Sequence, residues 1–164
     1  MLTIITIATV SGLLVVCYAV LCSGGNQRDQ LFRYSVVVEG GSTVSRIHVY
    51  TYEVESGKPV SEFRVAGYYN ESLHPGLSPY ADDPHGASIS LKKLLVTAKG
   101  RIPKRMWKET QVRLVATAGK RLLKKTVQEK FLKATRGVLE SSGFMFQDEW
   151  ASITSGESSS FLFK

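Results

Sequence analysis

Three short turns of small residues carry the groups that could bind a phosphate. They are Gly-Gly-Ser-Thr at 40–43, Thr-Ala-Gly at 117–119 and Thr-Ser-Gly at 154–156. Small side chains let a backbone approach a phosphate closely, and backbone N–H groups beside hydroxyls can donate hydrogen bonds to it. Each turn alone also resembles an ordinary connection between two elements. All three together, each with a hydroxyl residue, favour an anion site.

The elements before and between these turns follow from the hydrophobic pattern. Runs rich in β-branched and aromatic residues predict three strands at about 34–38, 46–54 and 60–68, joined as an antiparallel meander. Glycine tolerates φ > 0, so the Gly-Gly turn after the first strand predicts a tight hairpin. The stretch 70–86 has three prolines and predicts an ordered loop.

Helical spacing begins after this loop. It predicts a first helix from about Ala87, capped by Ser88 or Ser90 and ended by Gly100 and Pro103. A short strand at 111–115 leads into a long second helix, for which Gly143 is the stop signal, and 149–153 reads as a last strand. The apolar face of the second helix comprises Leu123, Val127, Phe131, Ala134 and Val138.

This order of elements predicts an α/β domain whose sheet is covered by helices. In such a sheet the strand ends converge on one edge, where ligands bind. The turns at 40–43 and 154–156 each follow a predicted strand, and the turn at 117–119 lies between a predicted strand and a predicted helix. All three are therefore expected at that edge. The second turn would also lie at the start of a helix, where free N–H groups favour an anion.

Composition and charge narrow the class of protein. The chain has 164 residues, 43% of them hydrophobic, and a net charge of +7. Most of its basic residues lie between Lys92 and Arg136, which predicts either a solvated helical surface or a surface that attracts anions. No nucleic-acid-binding signature accompanies this block, so no nucleic-acid partner is expected. The two cysteines, Cys17 and Cys22, lie outside the predicted domain.

The N-terminal run differs from the rest of the chain. Residues Leu2–Cys22 carry no charge, and their 21 positions suffice to cross a bilayer as a helix. We predict a transmembrane signal-anchor at 1–23 and a linker at 24–33, with a cleaved signal peptide as the alternative. Arg28 and Arg33 mildly oppose a lumenal domain, whereas Asn70-Glu-Ser is a glycosylation acceptor and favours one.

The turns lie within longer stretches that resemble a known family. The stretch 39–46, Glu-Gly-Gly-Ser-Thr-Val-Ser-Arg, resembles the first signature of the apyrases, the nucleoside triphosphate diphosphohydrolases, D-A-G-S-T-G-T-R. The stretch 114–123 is similar to their second, L-G-A-T-A-G-M-R-L-L, and 150–156 to the start of their third, W-A-S-I-I-S-G. The resemblance covers 34–156 in the family's order and points to the N-terminal part of the guanosine-diphosphatase and ecto-apyrase group.

The resemblance implies an actin-like, ribonuclease-H-like fold, of which 34–156 would form the N-terminal lobe as a mixed sheet flanked by helices. It implies removal of the terminal phosphate from nucleoside tri- or diphosphates with Ca²⁺ or Mg²⁺. It also implies a single-pass membrane protein whose domain lies in the Golgi lumen or outside the cell. The oligomeric state is left open, and 157–164 is expected to be a divergent tail.

The resemblance also assigns roles by position. Glu39 occupies the family's metal-site aspartate and would contact the ion through water, less well because of its extra methylene. A nucleotide phosphate would be held from two sides by the matched residues Gly41, Ser42, Thr43, Arg46, Thr117, Ala118 and Gly119.

The departures from the signatures predict impaired catalysis. Val44 and Val115 replace family glycines, and Val44 would resist φ > 0. The family's general base falls at Ser158, which cannot accept a proton at neutral pH, and the neighbouring Glu157 would face the other way along a strand. Two hypotheses follow: a membrane-anchored nucleotide hydrolase, truncated and impaired, or an inactive membrane-tethered half-fold that binds nucleotide weakly at most.

Other polar residues have more ordinary interpretations. His48, His74 and His85 lack ligand-spaced partners, so no zinc site is expected. Asp82 and Asp83 lie in the proline-rich loop and are expected to stabilise a turn rather than to bind a metal.

Overall fold

The computed structural model describes residues 32–54, 64–117 and 124–154. The chain divides into two compact units, one made of Met1–Phe32 and Glu53–Arg64 and the other of Arg33–Tyr52 and Val65–Lys164. The first unit lies almost wholly outside the described ranges. The second contains the sheet and both helices described below.

Five strands form one sheet. They are β1 (Phe32–Gly40), β2 (Ser45–Glu53), β3 (Arg64–Leu73), β4 (Gln111–Thr117) and β5 (Ala151–Thr154), in the spatial order β3-β2-β1-β4-β5. β1 pairs with β4 in parallel, and β4 pairs with β5 in parallel. β1 and β2 are neighbours joined by only four residues, a connection that is too short for parallel strands, so they form a hairpin.

Helix α1 (Pro84–Arg101) begins one turn earlier than predicted. Its N-cap is Asp83, whose Oδ1 accepts a hydrogen bond of 3.0 Å from the Gly86 N–H, and Pro84 occupies the first turn. The prediction of Ser88 or Ser90 as the cap is therefore wrong. Ser88 instead donates its hydroxyl to the Pro84 carbonyl. Asp83 thus stabilises the local backbone, as expected, in the form of a helix cap.

Within the described range, the predicted apolar face of helix α2 (Lys125–Glu140) is buried or half-buried. Phe131 and Val138 are buried, Val127 and Ala134 are half-buried, and Leu123 lies outside the described residues. The helix ends before Gly143, whose φ of 85° is the only positive φ in the described residues. Gly143 therefore acts as the predicted stop signal, since glycine adopts this conformation without a steric cost.

The hydrophobic core lies against one face of the sheet. Val36 and Val38 of β1 and Val112 and Leu114 of β4 point to this face and are fully buried. Buried residues of both helices belong to the same cluster, which also includes Leu77. The helix residues in it are Ala87, Leu91, Leu94, Leu95 and Ala98 of α1 and Phe131, Val138 and Leu139 of α2. The predicted mixed α/β sheet with packed helices is confirmed.

Two predicted boundaries shift. β3 continues to Leu73, so the stretch predicted as a loop from residue 70 begins as strand. Asp148–Trp150 forms a short 3₁₀ turn, and the last strand starts at Ala151 rather than at 149. Among the described residues no helix is long and apolar enough to cross a membrane, and the predicted anchor at 1–23 lies outside them.

Candidate phosphate site at the carboxyl edge of the sheet

The carboxyl ends of β1, β4 and β5 lie at the same edge of the sheet. Gly40 is paired with Ala116, and Thr117 is paired with Thr154. The start of the turn at 41–44 and the strand ends at Thr117 and Thr154 therefore lie side by side. This confirms the predicted convergence for the described residues. Ala118, Gly119, Ser155 and Gly156 lie outside them.

The turn after β1 is closed by its own backbone. The Gly41 N–H donates a hydrogen bond of 3.1 Å to the Val44 carbonyl, and the exposed Ser42 and Thr43 form the tip. No described residue accepts a hydrogen bond from the N–H of Ser42 or Thr43. The tip therefore offers two N–H groups and two hydroxyls to a ligand.

The glycine of this turn is needed for space rather than for a positive φ. A Cβ on Gly41 would lie 2.5 Å from the Val44 carbonyl oxygen, which is too close for any other residue. No described residue except Gly143 has φ > 0, so the expectation of positive φ in the Gly40–Gly41 turn is wrong. For the same reason Val44 avoids the φ > 0 that the sequence analysis expected it to resist.

A second segment braces this turn. We call residues 74–78 the brace. The Gly76 N–H donates to the Thr43 carbonyl at 3.0 Å, the Ser78 N–H donates to the Gly41 carbonyl at 3.1 Å, and the buried Leu77 N–H donates to Ser45 Oγ at 2.9 Å. His74 Nδ1 also lies 3.1 Å from the Thr43 oxygen. The brace was not predicted to be part of the site, although the proline and glycine of its Pro-Gly-Leu-Ser stretch at 75–78 indicate a turn.

Thr117 is the exposed last residue of β4. Its carbonyl accepts a hydrogen bond of 3.0 Å from the Ser78 hydroxyl. The brace therefore contacts both the turn after β1 and the end of β4. The structure thus brings Gly41, Ser42, Thr43 and Thr117 together, as the sequence predicts.

Glu39 lies at the same edge but on the sheet face opposite to the core. Its side chain is 41% exposed, and its Oε2 lies 3.4 Å from Nε2 of His48 on β2. The His48 side chain is 12% exposed, and its Nδ1 shares a hydrogen bond of 2.6 Å with the Tyr68 hydroxyl. Nε2 has no hydrogen-bond partner among the described residues, and its contact with the Glu39 carboxylate is longer than a good hydrogen bond.

The surroundings of Glu39 are aromatic. The His48 ring is stacked on Tyr50 and on Tyr68, with centroid distances of 6.3 and 5.8 Å. Burial raises the pKa of the Tyr50 hydroxyl, and the neighbouring Tyr68, Tyr52 and Glu39 raise it further. Burial also raises the pKa of Tyr52. These phenols are therefore neutral hydrogen-bonding groups near neutral pH.

Arg46 is exposed on β2 and forms no ion pair with a described residue. It is therefore accessible to an anion, but no contact ties it to the turn. Asn70 is exposed on β3, where it is accessible to modification. Glu157 and Ser158 lie outside the described residues. Among those described, no cluster of three or more His, Cys, Asp or Glu residues could hold a metal ion.

Comparison with known families assigns the chain to a protein family. The family model described as GDA1/CD39 (nucleoside phosphatase) matches residues 26–161, which is most of the chain. The chain belongs to this nucleoside phosphatase family. The resemblance to the apyrases is thereby confirmed, and it covers all three turns.

Relatives of this GDA1/CD39 chain carry apyrase names. It is 62% identical over 156 residues to probable apyrase 6 of Arabidopsis thaliana, covering 95% of this chain and 28% of the relative. It is 43% identical over 89 residues to the apyrase of Solanum tuberosum, covering 54% of this chain and 20% of the relative. It is 42% identical over 86 residues to ectonucleoside triphosphate diphosphohydrolase 5 of Gallus gallus, covering 52% and 20%. The chain thus spans less than a third of these relatives.

A solved structure of nucleoside triphosphate hydrolases from Neospora caninum is similar with a TM-score of 0.48 at 16% identity, over 88% of this chain and 33% of that one. This similarity is too low to assign a fold by itself. The mixed five-stranded sheet rests on the pairing observed here, and the two-lobed, actin-like arrangement stays a prediction.

Proposed function

We propose that this GDA1/CD39 chain forms one side of a nucleotide phosphatase site, which binds the phosphates of a nucleoside di- or triphosphate. The observation that supports this most is the parallel pairing of β1 with β4. It brings the free N–H and hydroxyl groups of Ser42 and Thr43 beside the end of β4 at Thr117. Several fixed donors at one edge, with little side-chain bulk, suit a phosphate chain.

The residues have distinct roles in this proposal. Ser42 and Thr43 donate hydrogen bonds to a phosphate, and the turn at 117–119 contacts the same phosphate chain from the side of β4. Arg46 adds positive charge on an exposed strand position. The dense bonding of the brace holds the donors in place before the ligand arrives, which lowers the cost of ordering them on binding.

The family resemblance implies Ca²⁺ or Mg²⁺, and the described residues fit a loosely held ion. Glu39 is the one carboxylate at the carboxyl end of β1, and no protein cage of three ligands exists among the described residues. Mg²⁺ is commonly held by one or two carboxylates together with substrate phosphates and waters, which this arrangement permits. Such an ion would neutralise phosphate charge, and Glu39 would contact it through water.

Turnover is expected to be slow. The position of the family's general base is Ser158, and loss of base catalysis costs about 10²–10⁴-fold. A second candidate function, nucleotide binding without hydrolysis, is favoured by this serine. We also propose that the apolar run Leu2–Cys22 anchors the chain in a membrane, with the domain in the Golgi lumen or outside the cell.

The test measures nucleotide binding and phosphate release separately. Binding of ADP and ATP to the full chain is measured by calorimetry with Mg²⁺, with Ca²⁺ and with EDTA, and phosphate release is followed in the same buffers. We expect cation-dependent binding that weakens in a Ser42→Ala, Thr43→Ala double variant. Glu39→Gln should lower the effect of the cation, whereas Glu140→Gln, an exposed α2 residue, should not.

Binding together with phosphate release supports the hydrolase, and binding alone supports the second candidate. Absence of nucleotide binding under every condition contradicts both. Equal binding by the double variant and the unaltered chain contradicts the assignment of Ser42 and Thr43.

A further inference from the structure

We propose that Ser78 is a positioning residue that holds the turn after β1 in register with the end of β4 at Thr117, an inference that rests on the proposed function. It contacts no phosphate itself. Ser78 is 3% exposed and lies between the turn after β1 and the end of β4. Its backbone N–H donates a hydrogen bond to the turn after β1, and its hydroxyl donates one to the end of β4.

The paired part of β1 and β4 stops just before the site. The last matched pair is Gly40 with Ala116. At the next position the Gly41 carbonyl accepts the Ser78 N–H at 3.1 Å, and the Thr117 carbonyl accepts the Ser78 hydroxyl at 3.0 Å. Ser78 therefore bridges the two strands where direct pairing ends and the chains begin to diverge.

The rest of the brace makes Ser78 a rigid extension of the first turn. Gly76 and Leu77 each donate a backbone hydrogen bond to this turn or to Ser45 immediately after it. A Cβ on Gly76 would lie 2.1 Å from the Gly41 oxygen, so the two backbones are packed without room for a side chain. Because the brace is bonded to the first turn at several points, the Ser78 hydroxyl adds a link from that turn to Thr117 beyond the last β1–β4 pair.

The direction of these bonds matters for an anion. A peptide unit is planar and trans, so its N–H points away from its C=O. The Gly41 carbonyl faces Ser78, and the N–H of Ser42 in the same peptide unit must therefore point the opposite way, away from the brace. The Thr117 carbonyl likewise faces the Ser78 hydroxyl. Ser78 thus keeps two carbonyl oxygens, which would repel a phosphate, turned away from the ligand.

Ser78→Ala removes one hydroxyl and leaves the Ser78 N–H bond to Gly41 possible. We expect nucleotide affinity to fall about tenfold, because one lost hydrogen bond corresponds to about that factor. Ser78→Thr keeps the hydroxyl and should recover most of the affinity. The matched control is Ser88→Ala, which deletes a hydroxyl bonded to a backbone carbonyl in α1 and lies in no binding element. The nucleotide affinity of the Ser88→Ala variant should be unchanged.

The Ser45→Ala variant tests whether a loss of nucleotide affinity comes from lost stability or from lost positioning by Ser78. It removes the partner of the Leu77 N–H and should lower stability at least as much as Ser78→Ala, because it orphans a buried donor. It leaves the bridge to Thr117 in place. Positioning by Ser78 predicts a larger loss of affinity in Ser78→Ala than in Ser45→Ala. Losses of affinity that are equal in the two variants, or that follow their losses of stability, contradict positioning by Ser78.

Hydrogen exchange of the nucleotide-free chain tests the bridge without any ligand. In Ser78→Ala the amides at the ends of both β1 and β4, Gly40–Gly41 and Ala116–Thr117, should exchange about tenfold faster, with those in the middle of β1 unchanged. Unchanged exchange at both ends overturns the inference even if nucleotide binds. Faster exchange in a chain that binds no nucleotide supports the bridge and contradicts the proposed function alone.

Discussion

The Glu39 carboxylate and the His48 imidazole face each other across β1 and β2, with 3.4 Å between Oε2 and Nε2. The contact joins a carboxylate at the phosphate edge to a row of stacked rings that includes Tyr50 and Tyr68. The Glu39 carboxylate is thereby placed beside the His48 imidazole of the neighbouring strand. The position that the family resemblance marks for a metal ion therefore has a protein partner in this chain.

His48 is expected to matter for stability more than its neighbour on the same strand. His48→Ala removes a mostly buried ring, its hydrogen bond to Tyr68 and its contact with Glu39, and should cost about 2 kcal/mol. Arg46→Ala, an exposed position on the same face, should stay within about 0.5 kcal/mol. Chemical denaturation of both variants measures the difference. A similar cost for the two would show that the ring stack contributes nothing.

Two glycines should respond to alanine in opposite directions. At Gly76 the new Cβ would meet the Gly41 carbonyl, so Gly76→Ala should destabilise the chain by about 1–3 kcal/mol and loosen the first turn. At Gly100, inside α1, nothing lies within 4 Å of the new Cβ, and Gly100→Ala should stabilise by about 0.5–1 kcal/mol. Unfolding curves of both variants decide this. A neutral Gly76→Ala would refute the close packing of the brace.

The two adjacent aspartates of the proline-rich loop should behave differently. Asp83→Ala deletes the N-cap of α1 and should cost about 1 kcal/mol, whereas Asp82→Ala, at an exposed position, should cost less than about 0.5 kcal/mol. The comparison is made by denaturation with and without Ca²⁺. A cation-dependent stability that disappears in either variant would instead mean that these carboxylates bind a metal.

The aromatic row predicts a loss of stability in alkali. The folded-state pKa values of Tyr50 and Tyr52 are raised above 10, so above the unfolded value the folded chain binds more protons than the unfolded chain. The free energy of unfolding should therefore be level below pH 10 and fall as the pH rises through the folded pKa values. Denaturation at pH 9–12 measures this slope. A Tyr50→Phe, Tyr52→Phe variant should show a shallower slope, and an identical slope would exclude these groups.

Asn70 provides a test of orientation. It is exposed on β3 and lies in an Asn-Glu-Ser acceptor sequence. If the domain is lumenal or extracellular, chain expressed in a secretory pathway should lose mass on treatment with a glycosidase, and Asn70→Gln should already have the lower mass. An unmodified chain that is nonetheless inserted in membranes would argue for the opposite orientation.

Periodicity was the strongest predictor of the fold. The runs of β-branched and aromatic residues located β1 and β2, and the helical spacing of Leu91, Leu94 and Leu95 marked the buried side of α1, because burial selects apolar side chains. Element ends were predicted less well. The start of α1 was missed because Asp83-Pro84 was interpreted as loop chemistry, although Asp followed by Pro is also a cap followed by a first helical residue.

The sequence by itself determined the family, the order of the elements and the residues of the first and second turns, because these depend on local residue types and spacing. Only the tertiary structure decided that Gly41 is required for space rather than for a positive φ, that Glu39 meets His48, and that Ser78 joins the turn after β1 to Thr117. The first depends on the backbone conformation of the folded turn, the second on the register of β1 with β2, and the third on a contact between segments far apart in the chain. Ser78 and Thr117 are 39 residues apart, and no local pattern records a hydrogen bond formed only when β1 and β4 pair.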